Sequence, residues 1–174
     1  TKAGWDFYPE GDVQGTGNCR HAVHRKNFAP LYLRAACEQS LKRLGTGYID
    51  LYQLHNPSLE QIRQGEAVGV LEKLKKEGKV RFLGISVHTE AEALAALEDP
   101  RVEVLQVIFN LLDQRMKEKV FPEAVRKGRG ILAREPLASG LLTGKYPPSH
   151  EFPKDDHRRR WVAEKRAVDW EKVN

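Results

Sequence analysis

The sequence is short of the features that would set it apart from ordinary globular chains. It has only two cysteines, Cys19 and Cys37, which lack metal-site spacing and are too few for a disulfide framework. Both are expected to be reduced, in a cytoplasmic setting. No apolar run approaches the roughly 20 residues that span a bilayer, so no membrane association is expected. The opening Thr1-Lys2-Ala3-Gly4 lacks the basic flank and apolar stretch of a secretory signal. It also lacks an initiator methionine, which suggests a piece of a longer chain. Basic charge is in only small excess, at a net +5. Its densest point, His157 to Arg160, directly follows Asp155 and Asp156. A broad basic face with interleaved aromatics is missing, and with it the expectation of a nucleic-acid partner. His21 and His24 lie near Cys19 without further ligands at fitting spacing, so no metal is expected.

What the chain does have is alternation. Short apolar, β-rich runs cover Tyr48 to Leu54, Val80 to Ser86, Val104 to Phe109 and Gly130 to Ala133, as strands of a parallel sheet do. Helical patterns lie among them. Pro30 to Leu44 spaces Leu33, Ala36, Cys37, Leu41 and Leu44 along one side, with Pro30 at the first turn and Gly45 as a stop. Gly65 to Glu77 repeats the pattern with Val68, Leu71 and Leu74. Thr89 and Glu92 form a capping box for a helix through Leu97, and a last helix is expected over Lys117 to Lys127.

With Thr1-Lys2 read as the tail of an earlier strand, five strands recur at the spacing of βα units. Uninterrupted βα repetition favours a doubly wound sheet or a (β/α)8 barrel. A full barrel needs about 250 residues, more than the 174 here, and five strands cannot close. The fold class expected is therefore α/β, a partial (β/α)8 TIM barrel holding about strands 3–7 with their helices and lacking the first and last units. Residues 1–174 are read as one domain. Within it, 149–174 is a loop and a terminal amphipathic helix with Trp161 and Trp170, a segment that could equally be poorly ordered.

His55 ends the first of these runs, where barrel enzymes place their chemistry. Alternation puts Leu51, Gln53 and His55 on one face and Asp50, Tyr52 and Leu54 on the other. A lone strand-end histidine is more often structural than catalytic. Two features raise the catalytic reading: Lys2, also at a strand end, where its charge can lower a neighbouring phenol's pKa, and the small residues Ala138, Ser139 and Gly140. Backbone N–H groups exposed at such residues let a phosphate approach closely, and Lys145 can add charge.

The ordered succession TKAG, SLKRLGTGYIDLYQLHNP, GKVRFLGIS, LQVIFNLLDQR and AREPLASGLLTGKY resembles the aldo-keto reductase family, which includes the potassium-channel β subunits. The resemblance implies an NADPH-dependent oxidoreductase that reduces a small aldehyde or ketone to the alcohol. By it, Lys2 and His55 are the catalytic lysine and histidine. Ser86 and Gln106 hold the nicotinamide carboxamide, Arg134 stacks on the ring, and Pro136, Leu137, Ser139 and Lys145 line the pyrophosphate loop. The NADP(H) site departs from the family pattern at Val87, which offers no side-chain hydrogen bond. The family's tyrosine and aspartate would precede Lys2, and its 2′-phosphate segment would follow Asn174. Tyr8 is read as part of a loop over the cofactor. Two alternatives stand beside the enzyme: a non-catalytic, cofactor-binding regulatory protein and an inactive fragment. His55 argues against the first, because the channel subunits keep asparagine there. The oligomeric state has no signature in the sequence.

Overall fold

The computed structural model describes residues 1–6, 25–154 and 156–160. Tyr8, Cys19, His21, His24 and the expected terminal helix with Trp161 and Trp170 lie outside the described residues. The chain forms two compact units, one of Thr1–Val107 with Lys117–Leu132 and one of Ile108–Met116 with Ala133–Asn174.

The strands are β1 (Lys2–Ala3), β2 (Trp5–Asp6), β3 (Arg25–Lys26), β4 (Ile49–His55), β5 (Val80–Ser86), β6 (Val104–Ile108) and β7 (Gly130–Arg134). Five form one sheet in the order β1-β4-β5-β6-β7, with β1, β4, β5 and β6 paired in parallel. Neighbours in the sheet follow one another in sequence, as successive βα units of a barrel wall require. β2 and β3 make a separate antiparallel pair, which the sequence patterns did not suggest.

The helices are α1 (Pro30–Leu44), α2 (Leu59–Gln64), α3 (Glu66–Lys76), α4 (Glu90–Glu98) and α5 (Val120–Arg126). α1 has the expected limits, because Pro30 suits the first turn and Gly45, at φ 65°, takes the left-handed cap. It buries Leu33, Ala36, Cys37 and Leu41, whereas Leu44 at its last turn is 58% exposed. The helix expected from Gly65 starts one residue later, since Gly65 at φ 68° stops α2 and opens α3. α2 itself is held by a capping box. Ser58 Oγ accepts from Gln61 N–H at 3.3 Å, and Gln61 Oε1 accepts from Ser58 N–H at 2.9 Å. Thr89 and Glu92 cap α4 in the same way.

One face of the sheet is closed. Tyr52, Leu54, Leu83, Ile85, Leu105 and Val107 are all at most 2% exposed. Sheet residues two apart share a face, so these six alternate with the residues of the other face. There Phe82 and Leu132 are 46% and 41% exposed, while Gln53 and Ser86 are buried, so that face is only partly covered.

Candidate active site at the carboxyl ends of the strands

Pairing register decides which side chains share the sheet's other face. His55 lies beside Ser86, and Ser86 beside Gln106, in one row across β4, β5 and β6. Lys2 lies beside Gln53, two residues before His55. Registered neighbours in a parallel sheet project to the same side. Lys2, Gln53, His55, Ser86 and Gln106 therefore sit together on one face, at the end where barrel enzymes bind substrate.

The row is locked by backbone bonds just beyond the strands. Asn56 N–H donates to the Ser86 carbonyl at 2.9 Å, and Val87 N–H donates to the Gln106 carbonyl at 3.0 Å. Asn56 takes φ 55°, a conformation asparagine tolerates better than most residues, and so turns the chain directly after His55. Ser86 is fully buried, and its hydroxyl donates a long hydrogen bond of 3.4 Å to Asn56 Oδ1. The carboxamide oxygens of Gln53 and Gln106 are buried and have no hydrogen-bond partner among the described residues. Such groups are costly unless something supplies a donor.

His55 is half-buried, with the Trp5 indole set edge-on to it at a centroid distance of 6.0 Å. The turn after Lys2 delivers that tryptophan. Gly4 has φ 116°, and a Cβ on it would run into the Phe28 ring, so only glycine fits. Tyr32 of α1 donates its hydroxyl to the Trp5 carbonyl at 2.6 Å. The indole N–H of Trp5 is buried without a partner among the described residues. Sequence reasoning missed Trp5, Gln53 and Asn56 as members of this site. The one signal for Trp5 was its place two residues past the Lys2-Ala3 strand end, after a glycine.

The remaining candidates belong to the second unit. Arg134 ends β7, and its carbonyl accepts from Phe109 N–H at 3.3 Å. Its guanidinium stands 3.6 Å from the Glu135 carboxylate. Asn110 Nδ2 donates to the Glu135 carbonyl at 3.0 Å. The loop then turns sharply: Ala138, Ser139 and Gly140 have φ 46°, 53° and 102° in succession. Left-handed backbone at alanine and serine costs energy and marks a segment held by its surroundings. Here Arg158 donates to the Ser139 carbonyl at 3.3 Å, and its guanidinium lies 4.6 Å from the centre of the Tyr146 ring. Pro136, Leu137 and Lys145 are exposed, and Ser139 is half-buried. The structure thus gathers Lys2, His55, Ser86 and Gln106 in the first unit and Arg134, Pro136, Leu137, Ser139 and Lys145 in the second.

A groove of about 660 Å³ lies on the helix side, lined by Ile62, Ala91, Leu94, Asp99 and Arg101 among others, and it includes none of these residues. Among the described residues, no group of three or more histidine, cysteine or acidic side chains could hold a metal, and no helix is long and apolar enough to cross a membrane.

Residues 16–172 match the aldo/keto reductase family, and the chain belongs to that family. The aldo-keto reductase yakc [NADP(+)] of Schizosaccharomyces pombe is 34% identical over 163 residues, 92% of this chain and 45% of that protein. The NADH-specific methylglyoxal reductase of Escherichia coli strain K12 is 34% identical over 122 residues, 68% of this chain and 37% of its own length. Among solved structures, the glycerol dehydrogenase AKR11B4 of Gluconobacter oxydans superimposes with a TM-score of 0.77 at 28% identity, covering 98% of this chain and 52% of that one. The partial-barrel reading therefore holds: the chain spans less than half the length of the curated relatives it matches.

Proposed function

We propose that the protein to which these residues belong reduces small aldehydes or ketones to alcohols, using NADPH. One observation carries the reading: His55 and Ser86, at the carboxyl ends of β4 and β5, form a single row with Gln106 of the adjacent parallel strand β6, with Lys2 on the same face. A nicotinamide carboxamide offers N–H donors and a carbonyl acceptor. The unpartnered Gln106 Oε1 and the weakly bonded Ser86 hydroxyl fit those groups. When bound, reduced nicotinamide supplies the hydride, while the protein orients and polarises.

His55 would donate an imidazole N–H to the carbonyl oxygen of the substrate and stabilise the negative charge that develops there. The family likeness assigns the proton donor to a tyrosine ahead of Lys2. Lys2, positively charged on the same face, would hold that phenol's pKa down and ease its proton transfer near neutral pH. Arg134, Pro136, Leu137, Ser139 and Lys145 are proposed cofactor contacts on the likeness of their segment, and the left-handed backbone at Ala138 to Gly140 supports a loop shaped for close approach. The coenzyme preference is the finer part of the proposal, because the relatives' names divide between NADP(+) and NADH.

The full-length protein should oxidise NADPH with a panel of aldehydes in stopped flow, at a higher kcat/KM than with NADH. Bound NADPH left unoxidised by every aldehyde and ketone offered would defeat the enzymatic reading. A preference for NADH would correct the coenzyme alone.

A further inference from the structure

Gln53 is an inward-facing side chain that the proposed chemistry leaves without a task. It is 6% exposed, and its Oε1 is buried with no hydrogen-bond partner among the described residues. Its strand neighbour in register on β1 is Lys2, and on β5 it is Gly84. The glycine is what lets a glutamine lie in this layer. A Cβ at position 84 would meet Gln53 Cγ at 2.9 Å and the Val104 carbonyl at 3.0 Å. Gln53 thus occupies space that its β5 neighbour vacates, beside the one charged side chain of its row.

An ammonium carries three donors and needs oxygens around it when drawn partly out of water. A carboxamide oxygen next to it, already desolvated, is a ready acceptor for a charge-assisted hydrogen bond. We propose that in the full-length protein Gln53 is a positioning residue: its Oε1, which has no partner among the described residues, accepts a hydrogen bond from the neighbouring Lys2 ammonium and so fixes where that charge stands relative to His55. The inference rests on Lys2 serving the reaction proposed above. Gln53 does not touch the reacting atoms. It acts by keeping the lysine charged and directed, with a bond free to tighten when ligand binds. Among the described residues His55 is the other titratable group on this stretch of the face; the tyrosine and aspartate that the family likeness places ahead of Lys2 would titrate beside it, and each is followed by its own resonances.

The test uses the full-length protein without cofactor, with lysines labelled at Cε and Lys2 assigned by loss of its signal in Lys2→Arg. In the unmodified protein, titrating Lys2 should move the Gln53 side-chain amide resonance, and a carboxamide that ignores Lys2 overturns the proposal. Gln53→Met, similar in volume but without the acceptor, should lower the Lys2 pKa by about one unit, since a bond to the charged form favours that form. Gln53→Glu should raise it by a similar amount, and carries the variant test should the methionine protein fail to fold. A Lys2 pKa unchanged in the variants that fold sinks the idea. In turnover, Gln53→Met should shift the general-acid limb of the kcat profile upward, with little change in KM. If the parent reduces no carbonyl compound, only the functional reading fails, because the resonance measurements do not depend on turnover.

Discussion

The two ends of the same sheet treat polar groups in opposite ways. At the amino end most of the described charges meet another, although Arg129 Nε, just ahead of β7, is buried without a hydrogen-bond partner among the described residues. Asp50 accepts from Arg81 at 2.7 Å. Glu103, just ahead of β6, takes the Lys75 ammonium at 2.7 Å and the Leu83 N–H at 3.0 Å. Lys79, just ahead of β5, is held by both Glu38 and Glu77, and Glu77 is gripped in turn by Arg34. At the carboxyl end, Gln53 and Gln106 keep buried oxygens with no partner among the described residues, and Ser86 has only a 3.4 Å bond. Polar groups that satisfy one another stabilise a fold. Those held in place but left open are available to a ligand, and leaving them open costs stability. In barrel enzymes this division is general, with chemistry at one rim and structure at the other.

Substitutions should follow the division. The largest effect is expected at His55. His55→Leu in the full-length protein should lower kcat for carbonyl reduction by about 10²- to 10³-fold, the usual loss when one donor to a developing oxyanion is removed. Its urea unfolding midpoint should stay close to the parent's. A variant that reduces several carbonyl substrates at the parent's rate would remove His55 from the chemistry.

At the other rim, Glu103→Ala strips a partner from Lys75 and leaves the Leu83 N–H without its acceptor. A partly buried N–H abandoned in this way costs about 1–3 kcal/mol. The unfolding midpoint should fall accordingly while kcat/KM stays within about twofold of the parent, on the same mechanism-scale reasoning that separates the two rims. A large loss of activity at unchanged stability would erase the contrast between them.

Much of this plan is legible in the sequence. Proline at the start and glycine after the end marked α1, because each has a backbone preference that acts locally. β5 was readable as a continuous apolar run from Val80 to Ser86, and His55 as the residue that ends its strand. α2 was not read, since its six residues are too few for helical periodicity to register. Yet the capping box from Ser58 to Gln61 stood in the sequence. The β2–β3 pair could not be read either: it joins Trp5–Asp6 to Arg25–Lys26, a contact set by tertiary structure over a long stretch of chain. The site divided along the same line. His55 and Ser86 lie at strand ends that patterning locates and Gln106 lies within a strand that it locates, and the family likeness gave them roles. Gln53 looked like one more inward residue, because the missing Cβ of Gly84 and the unpartnered oxygen become visible only when the strands are in register.

The helix caps test how much of the first unit's stability is local. Thr89→Ala removes the acceptor for Glu92 N–H, and Ser58→Ala removes that for Gln61 N–H. Each should cost about 1 kcal/mol, read as a lower urea midpoint with unchanged m-value. Neither cap belongs to the strand-end row, so turnover should not follow. A change in m-value would mean that the cap governs the compactness of the unfolded chain as well.

The smallest effect is expected from Glu77, and it also tells whether the amino-end pairs act as a network. The hydrogen bond from Arg34, reinforced by Lys79, holds this carboxyl at about 2, against an ordinary value of 4.5. A carboxyl lowered on folding contributes stability that is fully present above the ordinary value and disappears as pH falls through the lowered one. The window therefore runs from about 4.5 down to about 2. Glu77→Gln should be less stable than the parent at pH 7, and the gap should close across that window. The cluster faces solvent, so added salt should narrow the gap at pH 7 as well. Urea midpoints of parent and variant at pH 7, 5, 4 and 3, each at low and high salt, measure both dependences. A gap constant with pH would mean that Glu77 stabilises through its stem's packing, and the amino end would then owe less to paired charge than its geometry suggests.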